Sequence, residues 1–350
     1  MYASSASIEN LKRRADLLRE ARRFFDERGF IEVQTPVLSR DTVIDRHLEP
    51  WVVERNELQH WGFAQPRAYL QTSPEFAMKR LLASGMDKIY QLGPVFRGGE
   101  RGPLHNPEFT MLEWYQVGES YSGGMQFLID LVKGLLSASP EERSPEERSH
   151  QKKNDEEKSE ERKTSGSPSI TCSYQEVCWQ QLGIDILQAD REQLAQLACQ
   201  RKLVGSLDWS DDWDDWCNLL FTDLVQPTLG NDSLTVICDF PASQSALARI
   251  SERDERVAER FEIFYRGVEL ANGYHELLDP AELRRRNRQI NQQRLRDGKI
   301  SLPEESRLLE AMERGMPSSV GCALGFDRLV MLACRATTLD EVLPFPIERA

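Results

Sequence analysis

Apolar residues recur at Ile8, Leu11, Ala15 and Leu18, with Arg22 closing the stripe, and this spacing predicts an amphipathic helix over 7–28. Ser7 is placed to cap it and Gly29 to end it. The run Phe30-Ile31-Glu32-Val33-Gln34-Thr35 stops at Pro36 and predicts a strand. A short strand is expected over 68–71 and a helix over 74–84. Two longer strands are expected over 89–96 and 108–117, joined by a Gly- and Arg-rich loop over 97–107. Helices follow over 174–182 and 191–200. Trp209, Trp213 and Trp216 recur at i, i+4 and i+7 among aspartates, which predicts an aromatic stripe packing a helix on the core. The remaining pattern predicts strands over 236–240, 261–270 and 320–324, and helices over 280–296 and 327–334. Consecutive strands with helices around them predict an α+β domain on a largely antiparallel sheet rather than a βαβ repeat.

The pattern fails over 137–169. Those 33 residues contain no Ile, Leu, Val, Phe, Trp, Tyr, Met or Cys, and carry nine acidic and seven basic residues among Ser, Pro and Gly. Such a segment cannot bury enough apolar surface to offset its ordering entropy. It is expected to be a disordered insertion in a single domain formed by 1–136 and 170–350.

Composition narrows the classes. The chain has 350 residues and a formal net charge of −13, so phosphate-driven binding of bulk nucleic acid is disfavoured. No apolar stretch approaches the roughly 20 residues of a membrane helix. The seven cysteines form no CxxC pair, which argues against a zinc site or a disulfide framework and for free thiols in a reducing cytoplasm. No GxGxxG or GxxxxGK[ST] is present, leaving Rossmann and P-loop nucleotide sites unsupported.

Candidate chemistry begins with Arg97 at the end of one strand and His105-x-x-x-Phe109 opening the next. A guanidinium fork suits a phosphate and an aromatic can stack on a base, although a hairpin with solvated charges has the same pattern. Gly325-Phe326-Asp327-Arg328 puts a second arginine beside backbone that a flat ligand can approach. Glu262, Glu269 and Glu276 recur every seven residues; on one strand the first two would point to opposite faces, so a shared metal needs a bend or bulge between them.

Together these residues resemble the three signature motifs of the class II aminoacyl-tRNA synthetases: the first helix with Gly29 to Pro36, Phe96-Arg97 through Phe109, and Gly325 to Arg328. Thr72-Ser73-Pro74-Glu75, the run from Asn106 to Tyr115, and Glu269-Leu270-Ala271-Asn272-Gly273-Tyr274-His275-Glu276-Leu277 are similar to the lysyl subgroup. The first motif begins within ten residues of Met1, leaving no room for that subgroup's N-terminal anticodon-binding barrel, and Ala323 stands where its members usually read Gly. Both features resemble the lysyl-tRNA synthetase paralogues that attach (R)-β-lysine to elongation factor P.

The resemblance implies ATP and Mg²⁺ as cofactors, and either (R)-β-lysine or lysine as the amino acid. Arg97 would hold the α-phosphate and Arg328 the γ-phosphate, as the catalytic pair. Gly98, Gly99, Glu100, His105, Asn106, Phe109, Leu270 and Gly325 would line the nucleotide, and Glu262 and Glu269 would hold the metal, Glu269 also contacting the nucleotide. Here Gly98-Gly99-Glu100 replaces the usual Asn-Glu-Glu. Ser73 and Glu75 would take the amino group near the carboxylate, Pro74 would also contact the substrate, and Asn272 and Tyr274 would contact the chain. Glu113, Tyr115 and Glu276 would take the ε-ammonium, and Ala323 would crowd an α-amino group. A homodimer with 8–36 in its interface, a cytoplasmic location and elongation factor P as partner are expected. The rivals are a truncated lysyl-tRNA synthetase that charges tRNA, which the −13 opposes, and a catalytically inactive binding module. The Arg run 284–286 with Arg288 reads as a solvated helix face or a docking face for an anionic partner.

Overall fold

The computed structural model describes residues 3–54, 60, 67–137 and 168–350. The segment read as an insertion therefore lies outside the described residues except at Ser137 and 168–169.

Helix α1 (Ile8–Asp26) starts where the Ser7 hydroxyl accepts from the Asn10 N–H at 3.1 Å. Its buried stripe is Arg13, Leu17, Ala21 and Phe25, rotated from the stripe the sequence predicts, and Ile8 is left exposed. Burial of Arg13 is tolerated because its guanidinium donates to the Leu135 carbonyl at 3.3 Å and faces Glu20 at 3.9 Å. The strand expected over 30–36 shrinks to β1 (Ile31–Glu32), because only these two residues pair with β5 (Lys88–Phe96). Strands β2 (Leu38–Ser39), β3 (Val52–Glu54) and β4 (Arg67–Leu70) form a small separate sheet in the order β2-β4-β3. Helix α2 (Glu75–Ala83), strand β6 (Glu108–Val117) and helix α3 (Tyr121–Ser137) follow.

Beyond the insertion come β7 (Ile170–Ser173), α4 (Tyr174–Leu182), α5 (Arg191–Gln200), α6 (Trp213–Leu220) and β8 (Thr235–Pro241). Trp209 precedes α6 and lies edge-on to the buried Trp216, so the aromatic stripe belongs only in part to the helix. The single strand expected over 261–270 is a hairpin, β9 (Val257–Tyr265) and β10 (Val268–His275). Its two-residue turn is Arg266-Gly267, both at positive φ, which matches the right-handed twist of the flanking strands. The chain ends with α7 (Pro280–Arg296), α8 (Arg307–Glu313), β11 (Ser319–Gly325) and α9 (Phe326–Ala333).

The main sheet has the order β1-β5-β6-β11-β10-β9-β8-β7. Its two outer pairs, β1 with β5 and β7 with β8, are parallel, and the pairs between them are antiparallel. Alternation divides the two faces. Leu112, Trp114, Cys322, Leu324 and Phe261 point to a core closed by α1, α3 and α9, through Phe25, Leu128, Val132 and Leu329. The opposite face is left to Glu113, Tyr115 and their neighbours. Among the described residues no helix is long and apolar enough to cross a membrane, and no disulfide forms among the seven cysteines. In α7, Arg284 pairs with Glu305 and Glu313, Arg285 with Glu282, and Arg286 is buried against Glu282 and the Ala246 and Ala248 carbonyls. Three of those arginines therefore serve the chain's own packing.

Candidate active site

Strand register builds the site as two rows of side chains across the sheet. Glu262, Asn272, Ala323, Glu113 and Gln91 are successive partners on β9, β10, β11, β6 and β5. Arg260, Tyr274, Gly321, Tyr115 and Ile89 form the next row, two residues along. Small residues in the middle strand, Gly321, Ala323 and Gly325, keep the floor low between taller walls. Above it is a cavity of about 470 Å³. At Gly321 a Cβ would come within 2.2 Å of Tyr115 Cε1 and 2.5 Å of Glu276 Oε1, so the protein itself requires glycine there. At Gly325 a Cβ would meet only ordinary contacts beyond 3.7 Å, so any need for glycine there comes from what occupies the cavity.

One end of the cavity is acidic and deep. Glu113 accepts from the Ser73 hydroxyl at 2.7 Å and from the Tyr115 hydroxyl at 2.6 Å. Ser73 in turn accepts from the Glu75 N–H at 3.0 Å, at the start of α2. Glu276 is buried and its Oε2 lies 2.5 Å from Lys79 Nζ, which also contacts Glu75 Oε1 at 2.5 Å. Asn272 donates to the Tyr274 hydroxyl at 2.9 Å, leaving its own carbonyl oxygen buried without a partner. Burial, with neighbouring Glu75 adding to it, raises the Glu113 carboxyl to about 7, and burial likewise raises Glu276. Such a site gains by accepting ammonium groups.

The other end is basic. Arg97 sits over the Phe109 ring at 5.2 Å and faces Glu100 at 4.0 Å. Arg328 donates to the Glu269 carbonyl at 2.9 Å, the Leu104 carbonyl at 3.2 Å and His105 Nε2 at 2.7 Å. Partial burial and the Arg328 charge hold the His105 imidazolium below its usual pKa, consistent with a neutral ring accepting at Nε2. The positions of Glu262 and Glu269 answer the parity problem of the sequence. A β-bulge between Glu269 and Ala271 shifts the register, so Glu269 reaches the cavity wall together with Asn272 and Tyr274. Glu262 is buried and does not line the cavity; it accepts from Arg260 at 2.6 Å, and burial and then the Glu269 charge raise it to about 7.

Of the residues expected from sequence, Ser73, Glu75, Arg97, Glu100, His105, Asn106, Phe109, Glu113, Tyr115, Glu269, Leu270, Asn272, Tyr274, Glu276, Ala323, Gly325 and Arg328 line this cavity. Pro74, Gly98, Gly99 and Glu262 do not. Pro74 is the N-cap of α2, and Gly98 bridges to Glu49, donating to its carbonyl at 2.6 Å. Asn106 spends its amide on the chain: it donates to the Glu108 carbonyl and accepts from the Ile347 N–H. Sequence reasoning missed Lys79, Arg260 and Gly321 as site residues. The alternation Gly321-x-Ala323-x-Gly325 signals a face kept clear, and Arg260 stands i−2 from Glu262 on the same face. It also left Asp327 without a role: it accepts from the Thr110 N–H at 2.9 Å and pairs with Arg14, tying the start of β6 to α9 and α1.

A cavity with arginines at one end and carboxylates at the other, on a largely antiparallel sheet, suits a ligand pair with phosphates at one end and ammonium groups at the other. The family model described as tRNA synthetases class II (D, K and N) matches residues 2–349, and the chain belongs to that family. It is 43% identical to proteins of Edwardsiella ictaluri (strain 93-146) and Enterobacter sp. (strain 638), and 42% to one of Salmonella arizonae. All three are named elongation factor P–(R)-beta-lysine ligase, and each match covers all of this chain and 98% of the relative.

Proposed function

We propose that this chain activates (R)-β-lysine with ATP and transfers it to a lysine side chain of elongation factor P. The observation that carries the reading is the convergence of Arg97 and Arg328 with Glu75, Glu113 and Glu276 in one cavity, in a chain alike over its full length to ligases of that name.

In the first step an amino-acid carboxylate oxygen bonds to the α-phosphorus and the bond to pyrophosphate breaks. Arg97, at the basic end, stabilises the negative charge that builds on the α-phosphate, and Arg328 holds the far end of the triphosphate. For a base to stack on Phe109, Arg97 leaves the ring it now covers. In the second step the unprotonated amine of the acceptor lysine attacks the acyl carbon, the acyl–phosphate bond breaks, AMP leaves, and the amine releases one proton to water as the amide forms. No covalent protein nucleophile is required; catalysis is positioning and charge neutralisation.

Glu269 on the wall and the buried Glu262 are the carboxylates we assign to Mg²⁺, which neutralises phosphate charge when bound. The Glu269 charge bears on Glu262, and two such carboxylates suit a divalent cation that would take its other ligands from phosphates and water, Glu262 then sharing its carboxylate with Arg260. The Ala323 methyl, between Asn272 and Glu113, supports the β-amino acid over the α-amino acid by narrowing the floor.

The test supplies labelled (R)-β-lysine or L-α-lysine, ATP, and either elongation factor P or tRNA. Label on elongation factor P, greater with (R)-β-lysine, is the expected result. Label on tRNA alone supports the truncated synthetase instead, and absence of pyrophosphate exchange with either amino acid supports an inactive module.

A further inference from the structure

Lys79 is 2% exposed, a depth at which an ammonium needs paired carboxylates to offset its lost hydration. Its Nζ bridges Glu75 Oε1 and Glu276 Oε2, each at 2.5 Å, and so links α2 to the residue that follows β10. Glu113, the third buried carboxylate at this end, is hydrogen-bonded only by hydroxyls, and the Lys79 charge acts on it without a direct ion pair. Glu276 Oε1 is buried without a hydrogen-bond partner. When all three are ionised, three carboxylates against one ammonium leave two negative charges unmatched.

The surroundings do not supply the difference. Tyr115 on β6 and Tyr274 on β10 are buried phenols held neutral, and burial keeps the Cys322 thiol on β11 neutral. Arg286 on α7 is matched by Glu282, and Arg260 on β9 by Glu262. Asp45, also on the wall, adds negative charge. A diamino acid brings two ammonium groups. We propose that Lys79 is a positioning residue that sets the charge count of the amino-acid pocket: it neutralises one of three carboxylates and so keeps two available for a substrate with two ammonium groups. The inference rests on the diamino-acid reading above and deepens it.

Lys79 lowers both Glu113 and Glu276, so without it the acids hold a proton to higher pH than in the wild type. That proton competes with the substrate's ammonium for the same oxygens. Affinity is then lost below the pKa of the surplus acid and regained above it.

The experiment measures KM and kcat for lysine or (R)-β-lysine by ATP–pyrophosphate exchange between about pH 6 and pH 8.5, on the wild type, Lys79→Met, Lys79→Arg and Lys79→Met/Glu113→Gln. At one pH unit per tenfold, Lys79→Met is expected to raise KM about tenfold at pH 7 and by less than about 1.5-fold at pH 8.5, with kcat within about twofold. Lys79→Arg keeps the charge and is expected to keep the wild-type pH midpoint. The double variant removes the surplus negative charge and is expected to return the midpoint to the wild-type value; it is the form to assay should the single variant not fold. A folded Lys79→Met whose KM rises by one factor at every pH, or a double variant that retains a raised midpoint, overturns the inference while the function stands. A wild type that exchanges pyrophosphate with no diamino acid overturns the function itself.

Discussion

Arg328 is held at three points, by the Glu269 and Leu104 carbonyls and by His105. Such preorganisation is what makes a charge effective against a developing negative charge, because little reorganises during reaction. Arg328→Ala is expected to lower pyrophosphate exchange at least about 100-fold with an unchanged far-ultraviolet dichroism spectrum; near-normal exchange would refute its role. Ala323→Gly removes the methyl from the floor and is expected to move amino-acid preference toward α-lysine, read as the ratio of kcat/KM values. An unchanged ratio removes the structural support for the β-amino acid. At this scale much of the site was legible, because arginines, glutamates and an aromatic at fixed offsets carry the family resemblance. Lys79 was not. A Glu75–Lys79 pair at i,i+4 is a common stabilising pair on a helix surface, and only the sheet topology brings Glu276 against it.

Elements place those residues. The bulge before Ala271 puts Glu269 on the cavity wall, and the low row on β11 makes room between β6 and β10. Gly321 is where element and site meet: Gly321→Ala drives a methyl into Tyr115 and Glu276. Overpacking of this kind is expected to cost about 1–3 kcal/mol of stability and to raise the amino-acid KM, measured by chemical denaturation and by exchange. A variant with wild-type values on both would show that the floor has slack. Helices with clean caps were legible: the helix expected over 280–296 is found as such, with Asp279 capping Ala281. Helix α3 was not, because Gly123 and Gly124 interrupt its first turn. Gly124 is there to let the helix approach Val320, where a Cβ would fall 2.3 Å from Cγ1. The strand over 261–270 was misread because Arg266-Gly267 is a turn in which only the second residue is a usual turn former.

At the scale of the whole molecule, the −13 disfavours a partner gripped through its phosphates. Residues 137–169 contribute only −2 of it, so the acidity belongs to the rest of the chain, as expected of the proposed protein acceptor. The sheet also ends in an open edge at β1, only two residues long, with Ile31 56% exposed. Ile8 on α1 and Leu38 on β2 are exposed as well, so three successive elements present apolar side chains outward. Exposed edges of this kind are normally covered or paired, and a two-fold axis would let one surface cover its own copy. We therefore expect a homodimer through the region 8–36, with a light-scattering mass near twice the 40.2 kDa of the chain. Ile8→Asp combined with Ile31→Asp places charge in that interface and is expected to yield monomers. A wild type that runs as a monomer across the assay's concentration range overturns the expectation. A double variant that stays dimeric moves the interface elsewhere on the surface.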